Sequence, residues 1–218
     1  MNGSPAWLDW LERKAPWLRA IGIPKIAVIF VTLQVLGFFM VMSDSVWIVR
    51  LALLPAAVIQ GEYWRLVTFL ALPLSLSPIW VLLALWFLYS ILNTLEAVWG
   101  DFRTTFYILI SLVLTIIYSL VFGYPVTDIR AFEMTLFLAA AALFPDQQIL
   151  LLVFPVKMKW VAWFTAATLA LEFVQGGWLD RGYMLAIFSN YVLFFGPAQL
   201  SRIRQSRRRR DFKRKMGR

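Results

Sequence analysis

Apolar runs recur along the chain at 26–42, 78–95, 104–122, 132–144, 160–174 and 183–195, with short polar connections between most of them. A run approaching 20 residues has the length of a membrane-crossing helix, because the hydrocarbon core is about 30 Å thick and a helix rises about 1.5 Å per residue. The fourth and sixth runs are shorter, so each is expected as an inner helix that packs on neighbours or meets thinned lipid. Composition points the same way: 61% of the 218 residues are hydrophobic, whereas a soluble domain is about 45–50% apolar. Such an excess cannot be buried in one globular core. The sequence therefore reads as an all-α integral membrane protein, a bundle of six transmembrane helices with a long first outer loop over 44–78.

Three regions are expected: an N-terminal cytoplasmic or interfacial segment (1–25), a membrane domain (26–200) and a basic cytoplasmic tail (201–218). Trp7, Trp10 and Leu11 follow helical spacing, which suits a short helix lying in the membrane interface; a frayed polar terminus is the other reading. No long apolar run marks a cleavable leader here. Arg13, Lys14, Arg19, Lys25, Arg103, Lys157, Lys159 and the tail fall on one side of the alternating topology, leaving Arg50, Arg65, Arg130 and Arg181 on the other. The positive-inside rule then places both termini in the cytoplasm. The tail is expected to hold the orientation and to touch anionic lipid. Phe212 is the only aromatic residue among its cations, so no nucleic acid is expected as a partner.

The chain has no Cys and no His. That removes disulfides, thiolate nucleophiles, imidazole bases and every Cys or His metal or haem ligand. No Walker loop, dinucleotide fingerprint or acidic cluster is present either, and no cofactor or metal is expected.

Particular residues carry a resemblance. Gly61-Glu62-Tyr63-Trp64-Arg65 lies late in the first loop, and the second run ends in Leu95-Glu96-Ala97-Val98-Trp99-Gly100. Leu143-Phe144-Pro145-Asp146 and Pro155-Val156-Lys157-Met158-Lys159-Trp160 flank an apolar strip between the fourth and fifth runs. Together these resemble the rhomboid superfamily, with its Trp-Arg pair before the second span, a Glu-x-x-x-Gly turn after it and a proline-marked fourth-to-fifth connection. The resemblance covers about 26–200 and implies a six-helix fold with a partly inserted first loop, in which Trp64 and Arg65 face lipid or a partner. Glu96, Gly100, Pro145 and Pro155 carry the structural motifs.

Active rhomboids are intramembrane serine proteases with a Gly-x-Ser-Gly opening the fourth span and a His in the sixth. Here the fourth run opens Asp128-Ile129-Arg130-Ala131-Phe132-Glu133-Met134-Thr135, and the sixth offers Ser189 and Asn190 without a base. The His and Asn that would support an oxyanion in the second span correspond, counting back from Glu96 and Gly100, to Trp80 and Ala84. Losing a nucleophile or base costs orders of magnitude in rate, and losing oxyanion donors about 10²–10³ more. The resemblance therefore implies a pseudoprotease and not an enzyme. Span hydroxyls such as Thr135 are expected to bond nearby carbonyls, since Lys25, Lys157 and Lys159 all sort to the cytoplasmic side.

Polar groups at membrane depth are functional candidates because each is costly there. Gln34 and Asn190 are expected to form interhelical hydrogen bonds. Glu133 is expected near the outer surface, in a local ion pair with Arg130, with a lipid- or partner-facing role or plain solvation as the alternatives, and Glu172 is expected to find Arg181 or water. The function these features favour is non-catalytic binding of transmembrane segments or membrane proteins, in a quality-control, trafficking or chaperone-like role. Membrane lipids and other transmembrane proteins are the expected partners, and a bacterial inner membrane the expected location. A serine endopeptidase by family resemblance alone, or a small transporter or lipid-handling protein, remain the alternatives.

Overall fold

The computed structural model describes residues 6–146, 148–151 and 154–196. The basic tail expected at 201–218 lies outside the described residues. The chain is predominantly helical, and two of its helical stretches, Pro16–Ser43 and Pro78–Phe122, are long and apolar enough to cross a membrane.

Helix α1 (Ala6–Lys14) and a 3₁₀ turn (Pro16–Ile21) lead into α2 (Ile26–Ser43). Lys25, at φ 56, turns the chain sharply before α2. The first free N–H of α2, on Ile26, donates to Glu96 Oε1 at 2.8 Å, so a carboxylate from another helix caps the positive end of the α2 dipole. The loop that follows folds as short helices, α3 (Val46–Leu51), α4 (Pro55–Ile59) and α5 (Arg65–Thr68), with a 3₁₀ turn at Phe69–Ala71. Pro55 at the start of α4 and Pro78 at the start of the long helix that follows this loop suit positions where no intrahelical N–H is needed.

Helix α6 (Pro78–Phe122) is broken at Gly100, which sits at φ 78, ψ 168, a region open essentially only to glycine. The break divides α6 into two arms, 78–99 and 101–122, each a little longer than the ~20 residues a bilayer requires. The arms run antiparallel. Pro78 lines a groove with Met42, near the end of α2, whereas Ile23, just before α2, donates to Thr105 Oγ1 in the second arm. Leu53 and Val126, which follow α3 and the second arm, exchange both backbone bonds of a bridge at 3.0 and 2.9 Å. Glu96 and Gly100 thus supply a cap and a reversal within one turn of each other.

Helix α7 (Arg130–Leu143) is followed by an antiparallel strand pair, β1 (Gln148–Leu151) with β2 (Phe154–Lys157), in which Pro155 stands opposite Leu150. The expected all-α architecture thus gains a hairpin, because the connection between the fourth and fifth helices pairs with itself. Pro145 accepts from Lys159 N–H at 3.0 Å, closing the hairpin base. Helix α8 (Met158–Gln175) and a last helix, α9, over 178–196 complete the described chain.

The helices run between two ends. Ile23, Gly100 and the strand pair mark the lower end; the 44–77 loop and 123–129 mark the upper. Lower-end cations are Arg13, Lys14, Arg19, Lys25, Arg103, Lys157 and Lys159, and upper-end ones Arg50, Arg65, Arg130 and Arg181. Helix α1 docks at the lower end. Arg103 binds Asp9 at 2.8 Å as well as Glu12, Leu8 is buried, and Trp7 meets Phe106 and Phe194. Trp10 stays exposed on the other side of α1.

Helix α7 is central: none of its large apolar side chains is exposed, and Ala139 and Ala140 are fully buried. The other long helices all expose such residues, for example Val28 and Phe39 on α2, Leu82 and Val121 on α6, Phe164 on α8 and Leu185 on α9. Helix α9, expected as an inner helix, is therefore buried on one side only.

Candidate functional site

The polar groups gather at mid-height in the bundle. Gln34 lies midway along α2, fully buried, and its Nε2 donates to Glu133 Oε1 at 2.6 Å. Phe132, the preceding residue, stacks on Phe30 at 5.7 Å. The first turn of α7 therefore begins well inside the bundle rather than at its upper surface, because the 123–129 segment descends beside Leu53 before helix starts. This corrects the expectation that Glu133 lies near the outer surface.

The ion pairing also differs from expectation. Arg130 Nη1 reaches Glu172 Oε1 at 3.6 Å instead of pairing with Glu133. Arg181 donates to the carbonyls of Phe173 and Val174 at 2.8 and 2.7 Å, closing the α8 C-terminus. With α7 starting deep, the long Arg130 side chain extends upward to the carboxylate near the end of α8, and Gln34 takes the place beside Glu133.

A cavity of about 210 Å³ lies between the first arm of α6, α7 and α8. Ala84, Leu88, Glu133, Met134 and Thr165 are among its lining residues, with Arg130 also at its wall. Ala84, one of the two positions where the resemblance expects an oxyanion group, thus faces the same space as Glu133. Trp80, the other, is exposed on the bundle surface. Neither supplies a hydrogen-bond donor to the cavity.

Asn190 holds the opposite side of the core. Its Nδ2 donates to Tyr107 O at 2.9 Å and to Ser111 Oγ at 2.6 Å, tying α9 to the second arm of α6. Tyr107 in turn donates its hydroxyl to Thr135 O at 3.2 Å. Sequence reasoning found Gln34 and Asn190 as interhelical donors but missed Tyr107, whose only signal is a phenol in the middle of an apolar run. Thr135 and Ser189 donate to carbonyls one turn back, Phe132 O and Ala186 O, so each hydroxyl is engaged locally.

Trp64 and Arg65 part company. Trp64 is 57% exposed, but Arg65 is 6% exposed, so Arg65 is not a lipid-facing residue. Its guanidinium bonds Glu62 and donates to the carbonyls of Val49 and Ala52, at 2.5 and 2.8 Å. The 44–77 loop has carbonyls that its short helices leave free, and the forked cation satisfies them. Trp99 is buried against Phe194 and Phe195, whereas Trp160 and Trp178 are exposed.

At the two ends, charge is tuned by partners. Arg103, through its hydrogen bond and charge, holds the Glu12 carboxyl below the usual range. A hydrogen bond from Lys159 does the same for Asp146. In the upper 123–129 segment, burial and then the Asp180 carboxylate raise the Tyr124 phenol.

Comparison with known protein families, curated proteins and solved structures returned no match.

Proposed function

We propose that this chain is a rhomboid-like, non-catalytic membrane protein that crosses the bilayer six times and binds transmembrane segments of other proteins. The apolar residues exposed around α2, both arms of α6, α8 and α9 support immersion in lipid, since a soluble surface rarely carries so large a contiguous apolar area. The excess of basic residues at the lower end supports a cytoplasmic location for that end, with both termini on it, in a bacterial inner membrane. The absence of His and of any Gly-x-Ser-Gly supports binding without cleavage.

One observation carries the binding role. The cavity between the first arm of α6, α7 and α8 is bounded by helices that also meet the surrounding lipid, with Trp86 exposed on the arm and Phe164 on α8. On this reading a helix arriving from the bilayer enters laterally, between the first arm of α6 and α8. Photo-crosslinking in native membranes, with a photoreactive residue in place of Val161, tests this. Full-length membrane proteins should be captured, and Ala84→Trp, which fills the cavity, should remove them. Captured fragments, or capture unchanged in Ala84→Trp, would overturn the proposal.

A further inference from the structure

The cavity contains a carboxylate without a cation. Glu133 sits at mid-height, and the one cation on its own helix, Arg130, is engaged with Glu172. Among the described residues Glu133 Oε1 accepts from Gln34, and Oε2 has no hydrogen-bond partner. Leu74, Phe87, Leu88, Ile91 and Phe137 make most of the wall apolar, and Arg130 and Thr165 line it as well. An acidic side chain at this depth is costly, and one neutral amide donor engages only one of its two oxygens.

A bound helix that brought a donor to the second oxygen would gain a hydrogen bond in a low-dielectric setting, where an all-apolar helix would gain only packing. Resting on the proposed binding of transmembrane segments, we infer that the cavity selects segments carrying a hydrogen-bond donor, an amide or an ammonium, near the middle of the span, and that Glu133 is the residue that reads it. Thr165 on α8 lines the same cavity and adds a hydroxyl to the wall. The acceptor geometry sets the partner's chemistry: a donor on the arriving helix completes the acceptor set of Glu133, whereas a second carboxylate brings only further acceptors.

The test uses the full chain in phosphatidylcholine vesicles with synthetic Leu/Ala transmembrane peptides that carry a photoreactive leucine. Four peptides differ only in one residue: Leu, Gln, Lys or Glu at the centre. A fifth moves the Lys to a terminal turn. Central Gln and Lys should crosslink about threefold to tenfold more than Leu, the range expected of one interhelical hydrogen bond. Central Glu and terminal Lys should show no gain. Glu133→Gln keeps an acceptor for Gln34 and so preserves the helix contact; it should retain the preference for the Gln peptide and lose most of that for Lys. Glu133→Leu should lose both. Equal capture of the Leu, Gln and Lys peptides, or a preference that survives Glu133→Leu, would overturn the inference while leaving segment binding intact. Failure to capture any peptide would overturn segment binding, and this inference with it.

Discussion

At the scale of single residues, the long charged side chains act mostly as internal fasteners. Arg65 is the clearest case, since one guanidinium closes Glu62 and two loop carbonyls. Arg65→Ala leaves the buried Ala52 carbonyl unpaired and takes the cation from the half-buried Val49 carbonyl and Glu62, and should cost about 2–4 kcal/mol, read as a lower Tm in detergent. Arg65→Lys should recover only part of it, because an ammonium lacks the planar fork. An unchanged Tm in Arg65→Ala would contradict this placement. Glu12 gives a pH dependence with a definite sign. Its carboxyl is held below the ordinary value of 4.5 by Arg103, so its contribution is fully present above that value. It is lost as pH falls through the lower, folded value. Hydrogen exchange over α1, corrected for intrinsic rate, should therefore accelerate in acid but stay level between pH 6 and 8. Glu12→Gln should reproduce part of the acid effect at pH 7.

Two glycines separate conformational from packing demands at the scale of elements. Gly37, in the middle of α2, lies against the backbone of Ala71, and a Cβ there would run into the Ala71 carbonyl. Gly37→Ala must push α2 away from the Phe69–Ala71 turn, and a loss of at least about 2 kcal/mol is expected. Gly100 has open space around it but a positive φ. Gly100→Ala should therefore cost about 1–3 kcal/mol of backbone strain without displacing a neighbour. Unfolding titrations of both variants, with crosslinking between α2 and the 69–71 turn, distinguish the cases: only Gly37→Ala should lose the crosslink. The Glu-x-x-x-Gly motif gains a physical account here, a cap for α2 followed by a reversal between arms, although spacing alone showed neither partner.

The whole molecule makes a topological claim that its lack of cysteine renders easy to test. Single cysteines introduced into the natural Cys-free chain should react with a membrane-impermeant maleimide in intact cells at Glu62 and Asp128, on the upper side. At Asp101 and Lys157 they should react only after lysis. Labelling of Asp101 in intact cells would invert the orientation, and labelling of all four would argue against the chain crossing the membrane at all. Helix α7, which exposes no large apolar side chain, should be the element slowest to exchange its amide hydrogens.

Apolar periods and the order of basic residues determined the helical class, the approximate positions of α2, α6, α7, α8 and α9, and the sorting of cations between two ends. These follow from the composition of each segment, which is written locally. Likewise, Gln34 and Asn190 are legible as interhelical donors because an amide in an apolar helix has few other ways to satisfy its hydrogen bonds. What Glu133 meets was not legible. Arg130 is its neighbour at helical spacing, yet α7 starts deep, so Arg130 reaches up to Glu172 while Gln34, 99 residues away in sequence, arrives beside Glu133. The burial of Arg65 was hidden for the same reason: its carbonyl partners lie 13 and 16 residues earlier, and only the fold of the loop brings them together. Local sequence decides which segments become helices; the height at which each helix begins depends on how its connections pack, and that decides which charges meet.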